Sequence, residues 1–432
     1  MSARTPSGRA RADGERSTAR HGWAQALVTV LGGLLAMGVV ATLGLWAAGA
    51  ADLPDGGFAP VVAATLVTAV GGTVELSGSA GELAETQAGL TVIPLSVTLT
   101  GALVIAWAFL RPLRHRAVAG TAELAGWAAR VAALWLLALI GLTLAARHTF
   151  DISLRDDALA ELGDLFGVSP RIGFTTDVPL SVFVGVVWLA GVLVLAPLVS
   201  RGAPLPGGLL RFQESVRPAA YAMVSLLLAC VVIGLVVALV VSAVKGHARE
   251  TFAVILLGLP NLVWLAMTIG MGATWTGRVE GPFGLPVPHV LDEVLRTPDI
   301  SELNLRTLSE QDGRVWWLLV VDVVLLVGAA FVMAARSPAR MRAWQHAVQM
   351  AVALALTVFV ICLLGRISAH YGLSVLGIGD LGGGLAGELF LRPRLWGAVG
   401  LAVLWGLVTG FAGALAAGHV RRRGEVRAGS AG

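Results

Sequence analysis

The sequence predicts an all-α fold, a polytopic transmembrane helical bundle with about eight spans and two apolar segments that do not cross. Hydrophobic residues make up 56% of the chain and its mean hydropathy is +0.80, whereas soluble domains are ~45–50% apolar. Only 13% of the residues are charged. These are segregated, so several apolar runs exceed the ~20 residues that a helix needs to cross a bilayer.

Eight of the apolar runs have the length and the flanking charges of true spans. They are about Trp23–Ala48, Leu90–Leu110, Trp127–Ala145, Val178–Ser200, Ala219–Val244, Val315–Ala335, Trp344–Gly365 and Leu395–Gly418. Two apolar stretches remain, Phe58–Leu76 and Thr251–Trp275. If both crossed, the arginine clusters in 111–116 and 201–217 would face outside, against the positive-inside bias of short loops. We therefore expect both stretches to be non-spanning.

Each of these two stretches also contains residues that interrupt helices. Phe58–Leu76 begins near Pro60 and contains a glycine pair. Thr251–Trp275 is long enough to cross, but Pro260 near its middle predicts a break, because proline lacks a backbone donor. Two interpretations stay open. The stretches are interfacial or kinked helices that only pack, or they are re-entrant elements around a shared cavity.

The order of elements predicts two parallel four-span halves. Each has a span, a non-spanning stretch, a span that ends in a basic cluster, and two more spans. Both start on the same side, so the axis that relates them lies along the membrane normal. The predicted segments are a disordered basic cytoplasmic tail (1–22), a first half (23–200), a cytoplasmic linker (201–218), a second half (219–419) with an outer loop at about 277–314, and a basic cytoplasmic tail (420–432).

The residue usage points to a bacterial plasma membrane with both termini in the cytoplasm. Lys245 is the only lysine, and the preference for arginine indicates a high-GC genome. The basic residues lie in short loops beside spans, where they set topology, so we expect the lipid bilayer and no nucleic acid as a partner. Cys230 and Cys362 lie in apolar spans, and we interpret them as packing residues.

Motifs for chemistry are missing from the sequence. We find no metal-ligand cluster, no nucleotide-binding motif and no nucleophile–base set, so we expect no cofactor, no metal and no enzyme activity. A G-x-G-x-x-G match at 377–382 lies in a loop between membrane helices, with no strand before it, and we interpret it as a flexible loop.

Asp322 is the only acidic residue inside a predicted span. A carboxylate in hydrocarbon is costly unless it is protonated or paired, so its position predicts a proton or cation site. The alternative is an acid that is hydrogen-bonded across a helix interface. Ser96 and Thr98 lie at a similar depth in the first half. They are hydroxyls, which argues against a symmetric proton relay.

Two further polar residues are associated with the non-spanning stretches, Glu75 at the end of the first and Asn261 near the middle of the second. Together with Glu82 and Glu85, Glu75 would ring an outer vestibule that attracts cations; the alternative is a solvated acidic face. Asn261 lies beside Pro260 and would offer hydrogen bonds at a re-entrant tip, or else cap a helix.

The last span carries a small residue at every fourth position. These residues are Ala398, Ala402, Gly406, Gly410, Ala414 and Gly418. Such a face lets another helix approach closely. It predicts a packing seam within the bundle, or one between protomers that would make a homo-oligomer or bind a membrane-protein partner.

Three segments of the first half, Trp46–Pro54, Gly71–Gly78 and Leu90–Leu99, resemble the streptophobe family, which comprises hydrophobic membrane proteins of Streptomyces and relatives. The detailed match covers roughly the first 115 residues, and the rest agrees in general layout. The family has no established activity. The resemblance therefore implies a membrane location and an actinobacterial lineage, and it carries over no catalytic residue.

Three functions follow as hypotheses. The first is a permease for a small solute or ion, with its site between the halves near Asp322. The second is a non-catalytic membrane scaffold or envelope-complex partner. The third, with the least support, is an intramembrane enzyme.

Overall fold

The fold is a bundle of long apolar helices with an antiparallel sheet at one end. This is a computed structural model, and it describes residues 8–53, 56–79, 84–112, 121–151, 171–200, 207–246, 248–279, 295, 300–338, 341–375 and 387–418. The predicted C-terminal tail, the G-x-G-x-x-G match and half of the loop at 277–314 lie outside these residues. The predicted disordered tail at 1–22 is instead helical from Gly8 onward.

The helices confirm the predicted class, a helical membrane protein. They are α1 (Gly8–Ala47), α2 (Phe58–Ala69), α3 (Leu95–Leu110), α4 (Thr121–Ala145), α5 (Val178–Val199), α6 (Gly207–Lys245), α7 (Ala248–Gly270), α8 (Leu305–Gln311), α9 (Trp317–Arg336), α10 (Ala343–Leu364) and α11 (Leu395–Ala417). Within the described ranges, eight of them are long and apolar enough to cross a membrane. The helices α2 and α3 are apolar but shorter.

The loops at one end of the bundle form an eight-stranded antiparallel sheet that the sequence analysis did not predict. Its strands are β1 (Val74–Ser79), β2 (Ala84–Thr91), β3 (His148–Asp151), β4 (Arg171–Thr176), β5 (Trp275–Val279), β6 (Ser301–Leu303), β7 (Ile367–Val375) and β8 (Gly387–Pro393). Their order is β3-β4-β1-β2-β7-β8-β5-β6. We call this end of the bundle the sheet end.

The same order of elements occurs twice along the chain. Two helices, a pair of strands, two helices, another pair of strands and a helix run from α1 to α5, and again from α6 to α11 with the small α8 inserted. The strand order β3-β4-β1-β2 is followed by the equivalent order β7-β8-β5-β6. Pairing of β2 with β7 joins the two groups into one sheet.

The predicted span Leu90–Leu110 is wrong in its first part. Leu90 and Thr91 belong to β2, and the helix begins only at Leu95, after Pro94. Proline has no amide hydrogen, so it fits the start of a helix better than its interior. The helix α3 is antiparallel to α1, because Gly101 packs on Met37 and Gly33 packs on Ile105.

The predicted break at Pro260 is also wrong, because α7 is one continuous helix from Ala248 to Gly270. A proline inside a membrane helix is tolerated where neighbouring groups satisfy the freed backbone. Similarly, Phe58–Leu76 divides into the helix α2, which contains Pro60 in its first turn, and the start of β1.

Although α7 is long enough to cross a membrane, both of its ends contact helix ends at the sheet end. Arg249 donates a hydrogen bond to the carbonyl of Trp46 at the end of α1. At the other end of α7, Gly270 packs against Leu318 in the first turn of α9. In between, Ser96 at the start of α3 donates to the carbonyl of Ile255, 2.8 Å away. These contacts favour a helix that lies across the sheet end, which agrees with the predicted non-spanning segment.

The small-residue face of α11 packs inside the bundle against α10. A Cβ on Gly410 would lie 2.8 Å from Cα of Ala347, and a Cβ on Gly406 would overlap the backbone of Ala351. The face also includes buried Ala398, Ala402 and Ala414. Gly418 is exposed at the end of the helix and makes no such contact. The seam thus joins two helices of one chain.

We predict that Gly410→Leu destabilises the protein, because the added side chain would have to displace the backbone of α10. The free energy of unfolding should fall by about 1–3 kcal/mol or more, the usual cost of overpacking. Thermal unfolding in detergent would measure it. Gly400→Leu is the matched control on the same helix, since Gly400 is exposed with nothing within 4 Å. Equal effects of the two substitutions would contradict the seam.

We also predict that the two ends of α7 lie on the same side of the membrane. In a background with Cys230→Ala and Cys362→Ala, an impermeant thiol reagent should label Glu250→Cys and Glu310→Cys from one side. Both positions are exposed, at the start of α7 and in α8.

The control is Arg342→Cys, exposed beside the start of α10 at the opposite end of the bundle. It should label only from the other side. Labelling of the two reporters from opposite sides would show that α7 crosses the membrane.

Candidate functional site

The C-terminal end of α7 is capped in a specific way. Gly272 has φ of +95°, which glycine adopts without strain. Its amide donates to the carbonyl of Ile269 at 2.8 Å, and the amide of Ala273 donates to that of Thr268 at 2.9 Å. This pattern turns the chain sharply from helix into the sheet.

The end of α2 has the same cap in the first half. Gly71 has φ of +94°, its amide donates to the carbonyl of Thr68 at 2.9 Å, and the amide of Gly72 donates to that of Val67 at 3.0 Å. Each cap glycine also touches a later helix at matching places, with Val184 of α5 against Gly71. In the second half, Leu401 of α11 is the neighbour of Gly272.

Asp322 lies at the end of α7. It belongs to the second turn of α9 and is only 4% exposed. Its Oδ2 occupies the place that a Cβ of Gly270 would take. In the described part of the chain this oxygen has no hydrogen-bond partner. A buried polar oxygen without a partner is rare in proteins, because its lost hydration is not replaced.

The groups near the C-terminal end of α7 are mostly apolar or already hydrogen-bonded. Cys230 of α6 is close enough to interact electrostatically with the carboxyl, and its Sγ lies 3.7 Å from Sδ of Met267. Trp275 donates to Oγ1 of Thr268 at 3.0 Å. Trp405 of α11 donates to the carbonyl of Met271 at 2.9 Å.

The location makes an ionised Asp322 unfavourable. The C-terminal end of a helix carries partial negative charge on its carbonyl oxygens. A carboxylate there is repelled by these oxygens and is also removed from water. Neutralisation by a proton or a cation relieves both effects. The arrangement can therefore bind a proton or a small cation.

Three of the predicted site residues instead make hydrogen bonds to the backbone. Asn261 accepts from the amide of Leu95 at 3.1 Å and donates to the carbonyl of Ile93 at 2.9 Å, so it caps α3 from α7. The hydroxyl of Ser96 donates to Ile255. Thr98 donates to the carbonyl of Ala69 at the end of α2, 2.5 Å away.

The fifth predicted residue lies elsewhere. Glu75 is exposed on β1, where it is paired in register with Gly89 of β2 and Thr175 of β4. Glu82 lies outside the described residues, so a vestibule that Glu75 forms with it stays a prediction. The predicted residues therefore do not converge on one site. Among the described residues, no group of three metal-binding side chains occurs either.

An apolar cavity of about 60 Å³ lies between α7 and the sheet. Asn261 is its one amide-bearing lining residue, and Leu265, Ile367 and Leu391 are among the apolar ones. Because both polar groups of Asn261 are bonded to the backbone near α3, the cavity offers few polar contacts. It is not the same place as the Asp322 site.

Sequence reasoning missed the glycine caps and the neighbours Cys230 and Trp405. A signal for the caps was present. Residues 70–73 and 271–274 both show an apolar residue, a glycine, a small residue and a threonine. The missed sheet also had a signal, the alternation of apolar and polar residues that begins at Val74.

Comparison of this chain with protein-family models, with curated proteins and with solved structures finds no match.

We predict that Asn261→Ala destabilises the protein, because it leaves the carbonyl of Ile93 and the amide of Leu95 without their partner. The expected loss is about 1–3 kcal/mol, measured by thermal unfolding. Gly258→Ala is the control on the same helix. A Cβ there meets nothing within 4 Å, and alanine favours helix by roughly 1 kcal/mol over glycine. A neutral Asn261→Ala would refute the cap.

Proposed function

We propose that the protein is an ion permease that moves protons across the membrane through Asp322. The observation that carries this is the buried carboxyl oxygen that lies against the end of α7 and has no hydrogen-bond partner among the described residues. Ionisable groups inside membrane proteins commonly mark ion pathways and proton relays. A structural acid would be expected to have hydrogen-bond donors.

A proton fits the space better than a larger ion or a solute. The carboxyl is in direct contact with Gly270, and Leu318 also packs there. The cavity between α7 and the sheet lies beside Asn261, away from Asp322, and is lined mainly by apolar residues. A hydrated cation would need several oxygen ligands, whereas a proton needs only the carboxyl and a neighbouring acceptor.

The position of α7 connects the site to both halves. It contacts α1 and α3 of the first half, and α6 and α9 of the second. In many transporters the coupling-ion site lies at the interface of two repeated halves and is formed in part by the C-terminal ends of helices. A small movement of the end of α7 would therefore change contacts in both halves.

The test is proton flux into vesicles. Purified protein in liposomes with an internal pH-sensitive dye should acidify the lumen when a valinomycin-driven potassium gradient makes it negative. We expect Asp322→Asn to reduce this flux about tenfold or more, because an amide cannot release a proton. Its insertion and thermal stability should be unchanged.

Gly400→Leu serves as the control and should keep the wild-type flux, because Gly400 lies on an open surface of α11. Equal flux in wild-type and Asp322→Asn vesicles, or none in either, would refute the proposal.

The second candidate function is a scaffold that binds another envelope protein, and it is supported by the sheet. In the described residues, the outer strands β3 and β6 each pair on one side only. An outer strand of a sheet can add a strand from another chain. If the protein is a scaffold, Asp322→Asn would leave the binding of the partner protein unchanged, while substitutions in the outer strands of the sheet would abolish it.

We propose two parallel copies of one unit, supported by the repeated element order and the matching caps of Gly71 and Gly272. Residence in a bacterial plasma membrane with cytoplasmic termini, and membership of the streptophobe family, are supported by the sequence features that suggested them.

A further inference from the structure

A different side chain lies against the end of the capped helix in each half. In the first half, Thr98 of α3 donates a hydrogen bond to the carbonyl of Ala69, two residues before the cap glycine Gly71. In the second half, Asp322 of α9 lies against Gly270, again two residues before the cap glycine, Gly272. The two side chains therefore occupy matching positions.

The positions in the chain agree with this match. Thr98 lies 13 residues before Arg111 at the end of α3, and Asp322 lies 14 residues before Arg336 at the end of α9. The correspondence thus rests on contacts in the structure and on spacing along the sequence.

The carbonyl groups at the two capped helix ends can be compared one by one. In the first half the carbonyls of Val67 and Thr68 accept from backbone amides, and that of Ala69 accepts from the Thr98 hydroxyl. In the second half, the equivalent carbonyls of Thr268 and Ile269 also accept from backbone amides. The next carbonyl, that of Gly270, is equivalent to the carbonyl of Ala69, which accepts the hydrogen bond from Thr98.

Only a protonated carboxyl can do what the threonine does. A carboxylate has no hydrogen to donate, whereas a carboxylic acid has one O–H donor. From this we infer that Asp322 is a proton-operated latch, which holds the end of α7 when protonated and releases it when ionised. Thr98 is the permanent counterpart in the first half. The inference rests on the proposed function and adds the movement that proton binding controls.

The charged and titratable neighbours are few. On α6, the thiol of Cys230 is close enough to interact electrostatically with Asp322. The helix α7 carries its charges, Arg249 and Glu250, at its far end, and within its bounds α11 has no charged residue. On α10 the titratable groups are His346, near the opposite end of the bundle, and Cys362. The test of the latch therefore needs a control variant that lacks the Cys230 thiol.

Amide hydrogen exchange provides the test, because the cap amides report whether the helix end is held. The full-length protein in lipid nanodiscs would be measured from about pH 5 to about pH 9, a range that includes the values seen for buried carboxyls. The amides of Gly71 and Gly72 in the same molecule correct for the intrinsic effect of pH on exchange. As the pH rises through this range, the protection of the Gly272 and Ala273 amides against exchange should fall about tenfold more than that of the Gly71 and Gly72 amides.

Exchanging the two side chains sharpens the test. We expect Asp322→Thr to keep the second cap protected at every pH, and Thr98→Asp to make the first cap pH-dependent. Asp322→Asn is a second non-titrating variant, in case threonine is not accommodated. Cys230→Ala should leave the pH dependence unchanged, because the thiol is not the switch.

The outcomes separate the latch from the permease. A pH-dependent second cap in Asp322→Thr and Asp322→Asn, or identical pH profiles of the two caps in the wild type, would overturn the latch. Proton flux together with identical profiles would leave the permease standing and remove only the latch. The predicted exchange pattern without flux would keep the latch and refute the permease.

Discussion

The arrangement of this protein depends on one constraint, the placing of helix ends inside an apolar bundle. Backbone carbonyls and amides cannot be left without partners where no water is present. The ends of α2 and α7 lie among other helices, so each of them needs donors. Glycine at positive φ lets the chain turn back and supply two amides. The third donor has to come from a neighbouring helix.

The same constraint explains the polar residues that join the halves. Asn261 supplies a cap for α3 from a helix of the other half. Ser96 forms a bond between α3 and α7 in the opposite direction. These contacts satisfy backbone groups and so stabilise the junction. The packing of α11 on α10 is a different solution, in which small residues allow the two backbones to approach closely.

Asp322 differs from the other buried polar residues because its role depends on its charge state. Thr98, at the matching place, can always donate. A carboxyl donates only when protonated, and its ionised form is unfavourable beside a helix C-terminus. The difference between one threonine and one aspartate would make one half fixed and the other responsive. Such asymmetry within a repeated arrangement is a simple way to couple a proton to movement.

The sequence by itself determined the class, because long apolar runs and clustered arginines follow from the cost of placing charge in lipid. It also identified Asp322 as the unusual acid. It did not determine the bounds of α3, the continuity of α7 through Pro260, or the eight-stranded sheet. Whether the seam of Gly410 lies within one chain was also decided only by the tertiary structure. These features depend on partners distant in the chain, such as β2 with β7 or Thr98 with Ala69, and local sequence does not specify such partners.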